Sequence, residues 1–174
     1  MSPLTCFKAY DIRGRLGVDL DAEIAYRIGR AFGQALNAKS IVLGRDVRAS
    51  SEELAASVAR GLTDAGCHVL DLGLSGTEEM YFATTHFDAD GGICVTASHN
   101  PMDYNGMKMV RAGSAPLDAE TGLQAIKTRA EKNEFETPSV SGVVSNVSNK
   151  ARAAYVDRVV SFVSAAVLRT MKIL

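Results

Sequence analysis

Residues 41–95 read IVLGRDVRASSEELAASVARGLTDAGCHVLDLGLSGTEEMYFATTHFDADGGICV, and two apolar periods alternate within them. Ile41-Val42-Leu43 is a short continuous apolar run ended by Gly44, the pattern of a strand covered on both faces. Ser50-Ser51-Glu52-Glu53 has the S-x-x-E spacing of a capping box. It opens a helix whose inner face is Leu54, Ala55, Val58, Ala59 and Leu62, and Gly66 closes that helix as a C′ glycine. Val69-Leu70-Asp71-Leu72 is a second strand. The spacing then predicts a helix from about Thr77 to Phe87, with Glu78 and Glu79 in the first turn where the dipole favours them. Gly92-Ile93-Cys94-Val95 is a third strand. Strand, helix, strand, helix, strand, repeating every ~25–30 residues, predicts a parallel α/β sheet.

The same reading extends in both directions. Ile24, Ile28, Ala31, Phe32 and Ala35 repeat at helical spacing behind Asp21, a candidate N-cap. Gly106-Met107-Lys108-Met109-Val110 reads as a fourth strand, reached through a turn at Asn105-Gly106. A helix over Asp118–Lys132 turns Leu123, Ile126 and Ala130 inward. The expected fold is a three-layer αβα domain over residues 1–136, with a mixed, mostly parallel, four-stranded sheet. Residues 137–149, TPSVSGVVSNVSN, are polar and Ser-rich and read as a linker or long loop. Over residues 150–174, Tyr155, Val159, Phe162 and Val163 form one more helical face, and Met171-Lys172-Ile173-Leu174 looks like a strand just starting. The expectation is a fragment of a longer protein.

Composition narrows the function classes. Nineteen Lys and Arg stand against 20 Asp and Glu, so no basic field draws in nucleic acid. No apolar stretch approaches the ~20 residues that span a bilayer, and no signal peptide is read at the N-terminus. Cys6, Cys67 and Cys94 are odd in number and form no CxxC pair, which argues against a disulfide framework and a cysteine zinc site. Reduced, buried thiols in a cytoplasmic protein are the expectation.

In parallel α/β sheets the ligand crevice lies beyond the carboxyl ends of the strands. Two segments fall there: Gly44-Arg45-Asp46-Val47-Arg48 and Thr96-Ala97-Ser98-His99-Asn100-Pro101. Pro101 keeps Asn100 extended and holds Ser98 on a tight strand-end loop, which suits a nucleophile or a phosphoryl carrier. The plainer reading is a turn whose Ser and Asn bond their own backbone. Side chains of adjacent residues in extended chain point apart, so His99 is not expected to pair directly with Ser98. Lys108 follows on the return strand and can bring its ammonium back to the loop, unless it is merely a solvated surface lysine. Arg13, Arg45 and Arg48 are guanidinium groups suited to phosphate, with ion pairs to Asp46, Glu52 or Glu53 as the duller alternative. His68 and His86 read as structural. Asp88-Ala89-Asp90 reads as turn chemistry rather than a metal site.

Five segments in order resemble the first domain of the α-D-phosphohexomutases, the phosphoglucomutase/phosphomannomutase family. They are Phe7-Lys8-Ala9-Tyr10-Asp11-Ile12-Arg13-Gly14, Gly44-Arg45-Asp46-Val47-Arg48, Gly76-Thr77-Glu78-Glu79, Thr96-Ala97-Ser98-His99-Asn100-Pro101 and Asp103-Tyr104-Asn105-Gly106-Met107-Lys108. The resemblance is close over about residues 5–135, and its wording is nearest to bacterial phosphomannomutases. It implies that Ser98 carries a phosphoryl group exchanged with a hexose phosphate through a hexose 1,6-bisphosphate. It implies that Lys108 and Arg13 are the basic residues near the transferring group, with Lys108 a candidate acid/base. His99 and Asn100 match the loop around the phosphoserine, and Tyr10 matches a residue facing the cleft. It further implies Mg²⁺ bound through the Ser98 phosphate and aspartates of a second domain, glucose or mannose 1,6-bisphosphate as activator, and reliance on domains II–IV. Residues 150–174 are, by the same resemblance, the helix and first strand of a truncated second domain. By the resemblance, the activity is interconversion of mannose 1-phosphate and mannose 6-phosphate, with glucose phosphates as the alternative, and 174 residues alone are expected to be inactive. A serine hydrolase using Ser98 and a non-catalytic phosphosugar-binding module are the readings from other classes.

Overall fold

The computed structural model describes residues 3–164 and Lys172. The strand expected at 171–174 lies, apart from Lys172, outside the described residues. The elements run β1 (Ile12–Arg15), α1 (Ala22–Ala35), β2 (Ser40–Arg45), α2 (Ser51–Asp64), β3 (His68–Leu74), α3 (Thr77–His86), β4 (Gly91–Val95) and β5 (Tyr104–Arg111). After a 3₁₀ turn come β6 (Ala115–Pro116), a π turn at Ala119–Leu123, α4 (Gln124–Lys132), β7 (Val144–Asn146) and α5 (Ser148–Val160).

One sheet holds all seven strands in the order β1-β5-β4-β2-β3-β7, with β6 on the outer part of β5. β2 is parallel to β3 and β4, and β7 is parallel to β3. β5 is antiparallel to β4, β1 and β6, so it alone runs against the rest. The four expected strands are β2–β5. The three missed ones are short and partly exposed, so they carry little apolar signal. Within 137–149, read as a linker or long loop, Val144–Asn146 forms a short strand on Val69–Asp71.

Residues alternate across the sheet as strand geometry requires. Ile41 and Leu43 face a core with Ile28, Phe32, Leu54, Val58, Leu62 and Ile126, from α1, α2 and α4. Val42 faces the other core, with Leu72, Met80, Ala83 and Cys94 beneath α3 and Ala151 of α5. This gives three αβα layers. α5, expected to open a second domain, packs here on α3 and β3. Arg152 ties it down with Nε and Nη2, one edge of its guanidinium, on the two oxygens of the buried Glu79 carboxylate at 3.2 Å and a further bond from Nη2 to the Leu74 carbonyl. Phe162 and Val163 lie past the end of α5 and are exposed.

Local signals behave unevenly. Asp21 caps α1, accepting from the Ile24 amide at 2.8 Å. Gly66 follows α2 with φ +89°, the left-handed conformation expected of a C′ glycine. Ser50 is the N-cap of α2, but its side chain makes no cap bond; its hydroxyl instead accepts from Asn105. The Asp118 helix begins with a capping box closed by Thr121, then a π turn before α4. Cys6, Cys67 and Cys94 are free and buried. No helix among the described residues is long and apolar enough to cross a membrane.

Candidate functional site

β3 and β4 lie on opposite sides of β2, so the strand order reverses at β2. The crevice at such a reversal, beyond the carboxyl ends, is where α/β sheets bind ligands. Arg45 ends β2 beside Val95 at the end of β4, which brings the two segments singled out in the sequence together. A cavity of about 260 Å³ opens there, lined by Ser98, Lys108, Thr96, Asp46, Ser75 and Thr77.

Ser98 is exposed at the tip of the loop after β4, with φ +52°. Its amide donates to Thr96 Oγ1 at 3.0 Å. Asn100 donates to the Ala97 carbonyl through its backbone (3.0 Å) and its side chain (2.7 Å). Asn100 is therefore used to shape the loop, as the plainer turn reading holds. Ser98 Oγ and His99 Nδ1 are 3.2 Å apart. This corrects the expectation that adjacent side chains diverge. That rule holds for extended chain, and the left-handed backbone at Ser98 rotates the two side chains to one side.

Lys108 stands opposite Cys94 in the β4–β5 ladder, and opposed residues share a face. It thereby projects to the α3 side of the sheet, into the cavity with Ser98. Its ammonium donates to Asp11 Oδ2 at 2.9 Å, and Arg13 Nη2 donates to the same oxygen at 3.0 Å. Asp11 is buried and was overlooked in the sequence; acidic residues between two basic ones are common, and nothing in the spacing tells that it holds both. Tyr10, just before it, is 73% exposed and free to meet a ligand. Ser75 Oγ is buried with no hydrogen-bond partner among the described residues.

Arg45, the last residue of β2, and Arg48 are both engaged within the protein. Arg45 reaches Glu52 at 3.5 Å, the duller alternative. Arg48 donates to four backbone carbonyls of the Ser98 loop and its continuation. His68 bonds Ser145 at 2.9 Å across β3 and β7, and His86 stacks on Phe82. Asp88 turns the chain with φ +51°, whereas Asp90 accepts from the amides of Lys39 and Ser40 at the start of β2, a long-range bond rather than a turn bond. Burial pushes the Cys94 thiol up to about 12, with the charges of Asp46, Glu78 and Glu79 adding to it. A thiol so far from ionising is no nucleophile.

No group of three or more His, Cys, Asp or Glu side chains that could hold a metal occurs among the described residues. The carboxylates that line the cavity with Ser98 are Asp46, already bonded to Ser51 and Arg48, and Glu78. These two carboxylates do not by themselves complete the near-octahedral oxygen coordination that Mg²⁺ takes.

The model of the family described as phosphoglucomutase/phosphomannomutase, alpha/beta/alpha domain I, matches residues 5–137. A phosphomannomutase of Vibrio cholerae is 54% identical over 99% of this chain, which covers 38% of that relative. A phosphomannomutase of Klebsiella pneumoniae is 58% identical over 85% of this chain and 96% of its own length. The crystal structure of a phosphoglucomutase/phosphomannomutase family protein from Burkholderia thailandensis superimposes with a TM-score of 0.80 at 38% identity, over 92% of this chain and 36% of that one. The chain thus spans 38% of the length of the first curated relatives it matches.

Proposed function

The chain belongs to the phosphoglucomutase/phosphomannomutase family, as its α/β/α domain I, and from that premise we propose that Ser98 is the phosphoryl carrier of a phosphomannomutase. The observation that carries the reading is the shared cavity of Ser98 and Lys108, with Lys108 and Arg13 held on one buried carboxylate. Transfer breaks the bond between phosphorus and Ser98 Oγ and forms one to a hydroxyl oxygen of a hexose phosphate. The hydroxyl proton leaves to a base, and Ser98 Oγ takes one up. His99 Nδ1, 3.2 Å from Ser98 Oγ, is placed to give and reclaim the proton at that oxygen. On the sugar side Lys108 passes a proton to Asp11 Oδ2, to which it is bonded at 2.9 Å, as it takes the proton of the hydroxyl. A phosphoserine brings about −1.5 to −2 charges, which cations beside it must offset. Arg13 and Lys108 do this, positioning and neutralising charge rather than bonding covalently. Tyr10 and Asn100 complete the rim that meets the sugar.

Mannose phosphates are the proposed substrates because the curated relatives carry the name phosphomannomutase; glucose phosphates are the alternative. Glucose or mannose 1,6-bisphosphate is the proposed activator. Mg²⁺ is proposed to bind the Ser98 phosphate with ligands from outside residues 3–164. Turnover is proposed to need the domains those relatives carry beyond the matched span, so the 174 residues alone are expected to be inactive. Three buried free thiols support a reducing, cytoplasmic setting.

Incubating the whole protein with glucose 1,6-bisphosphate and mapping phosphate by mass spectrometry tests the reading. Phosphate is expected on Ser98, and Ser98→Ala should abolish interconversion of mannose 1-phosphate and mannose 6-phosphate. Phosphate on Ser50 or Ser75 instead sinks it.

A further inference from the structure

We propose that Arg48 is a positioning residue of the phosphoryl-transfer site, acting through the backbone of the loop that carries Ser98. The proposal rests on the reading of Ser98 as phosphoryl carrier. Arg48 Nη1 donates to the carbonyls of Pro101 (2.9 Å) and Tyr104 (3.1 Å). Its Nη2 donates to those of Ser98 (2.9 Å) and Asn100 (2.6 Å). A guanidinium has two N–H groups on each Nη. All four are therefore directed at carbonyls, and none is left for a phosphate. The remaining N–H, on Nε, faces Asp46 Oδ2 at 3.7 Å.

Fixing a carbonyl fixes its peptide plane. The Ser98 carbonyl belongs to the plane joining Ser98 to His99, so Arg48 sets the direction of the Oγ–Nδ1 pair. Ser98 holds a left-handed φ of +52°, which a non-glycine residue keeps only when its surroundings impose it. Arg48 holds the peptide plane that follows Ser98 by charge-assisted bonds, while Asn100 on the Ala97 carbonyl and Thr96 on the Ser98 amide hold the plane that precedes it. Arg48 is itself held. Its amide donates to Asp46 Oδ1 at 3.0 Å, Ser51 Oγ donates to the same oxygen, and the buried Asn105 amide donates to Ser51 Oγ at 3.0 Å. The chain of bonds from β5 through α2 to the loop makes the position of Ser98 a property of the sheet.

Two variants of the whole protein test this, Arg48→Ala and Arg48→Lys, assayed with mannose 1-phosphate. Misplacement by about 1 Å is worth on the order of 100-fold in rate, so kcat of Arg48→Ala should fall about that far with KM within about threefold. Added guanidinium ion should restore much of the Arg48→Ala rate and leave Ser98→Ala dead. Arg48→Lys keeps the charge, but its three N–H donors cannot bridge four carbonyls, so it should stay slow. If Arg48→Ala does not fold, Arg48→Lys carries the test. Wild-type kcat in Arg48→Lys overturns the proposal, as does a raised KM with kcat intact, or a loss that guanidinium does not restore. A wild type that takes no phosphate on Ser98 overturns the functional reading itself, and is seen before any Arg48 variant is made.

Discussion

Lys108 and Asp11, 97 residues apart in sequence, are joined by an ion pair of 2.9 Å at the mouth of the cavity. The same Asp11 oxygen takes Arg13 at 3.0 Å, and the Asp11 side chain is 12% exposed. One buried carboxylate thus holds two cations side by side. Their mutual repulsion is offset by that carboxylate, and neither side chain has to search for its place beside the proposed phosphoryl carrier Ser98.

Asp11→Asn keeps the shape and removes the charge that holds the pair. The two cations should then drift apart and lose register with Ser98. We expect kcat to fall by about 10–100-fold, in keeping with the cost of misplaced groups. Thermal stability should change little, because both partners are partly exposed and solvent takes over. Unchanged kcat in steady-state assays would show that Lys108 finds its position without Asp11.

Lys108→Ala removes the ammonium itself. As a proton donor and acceptor for the sugar hydroxyl it should contribute about 10²–10⁴ in kcat. A raised KM at full kcat would demote it to a binding residue.

Asn105-Gly106 read as a turn, because that dipeptide favours type I′ hairpins. Both residues instead lie inside β5, and both are buried. Asn105 donates to Ser50 and Ser51 at 2.8 and 3.0 Å, and Gly106 lies opposite Arg13 in the ladder to β1. A Cβ on Gly106 would come within 2.1 Å of the Ile12 carbonyl oxygen. Gly106→Ala should therefore push β1 off β5 and cost about 1–3 kcal/mol, as overpacking does. Because β1 carries Arg13, catalysis should fall with it. An unchanged urea midpoint would refute the close approach.

The central strands were legible because burial on both faces leaves runs such as Ile41-Val42-Leu43, all at most 3% exposed. β7 was not, because an edge strand of three residues in a Ser-rich segment carries no apolar period. Ser98, Lys108 and Arg13 stood out through chemistry at strand ends, which sequence shows. Asp11 and Arg48 did not, because their roles depend on partners distant in the chain. By its charge Arg48 suits either a phosphate or an ion pair with Asp46; the carbonyls that occupy it belong to residues 98–104, and no spacing rule predicts such a bond. The Ser98–His99 contact depends on a single backbone angle, which residue types do not specify.

The three thiols predict an alkaline limit to stability. Burial pushes Cys6 and Cys67 up to about 11 and Cys94 up to about 12. At Cys6 the backbone bond and Lys8 oppose that rise in part, whereas at Cys67 the charge of Asp90 adds to it. An unfolded thiol loses its proton near 9 or slightly below, while the folded one keeps it to 11 or 12. A raised folded value means that the stabilisation is whole below the unfolded value and lost as pH climbs toward the folded one. Each thiol then removes at most about 1.4 kcal/mol per pH unit in that window. Urea unfolding of the chain should give a flat stability between pH 7 and 8 and a decline from about pH 9 upward. Cys94→Ala isolates the contribution of that thiol. It should lower stability at neutral pH through a small cavity, yet decline less steeply above pH 9 than the wild type. Thiol reagents at pH 8 should find all three cysteines silent until the chain unfolds. Parallel stability curves for wild type and Cys94→Ala between pH 8 and 11 would show that the buried thiol does not set the alkaline limit.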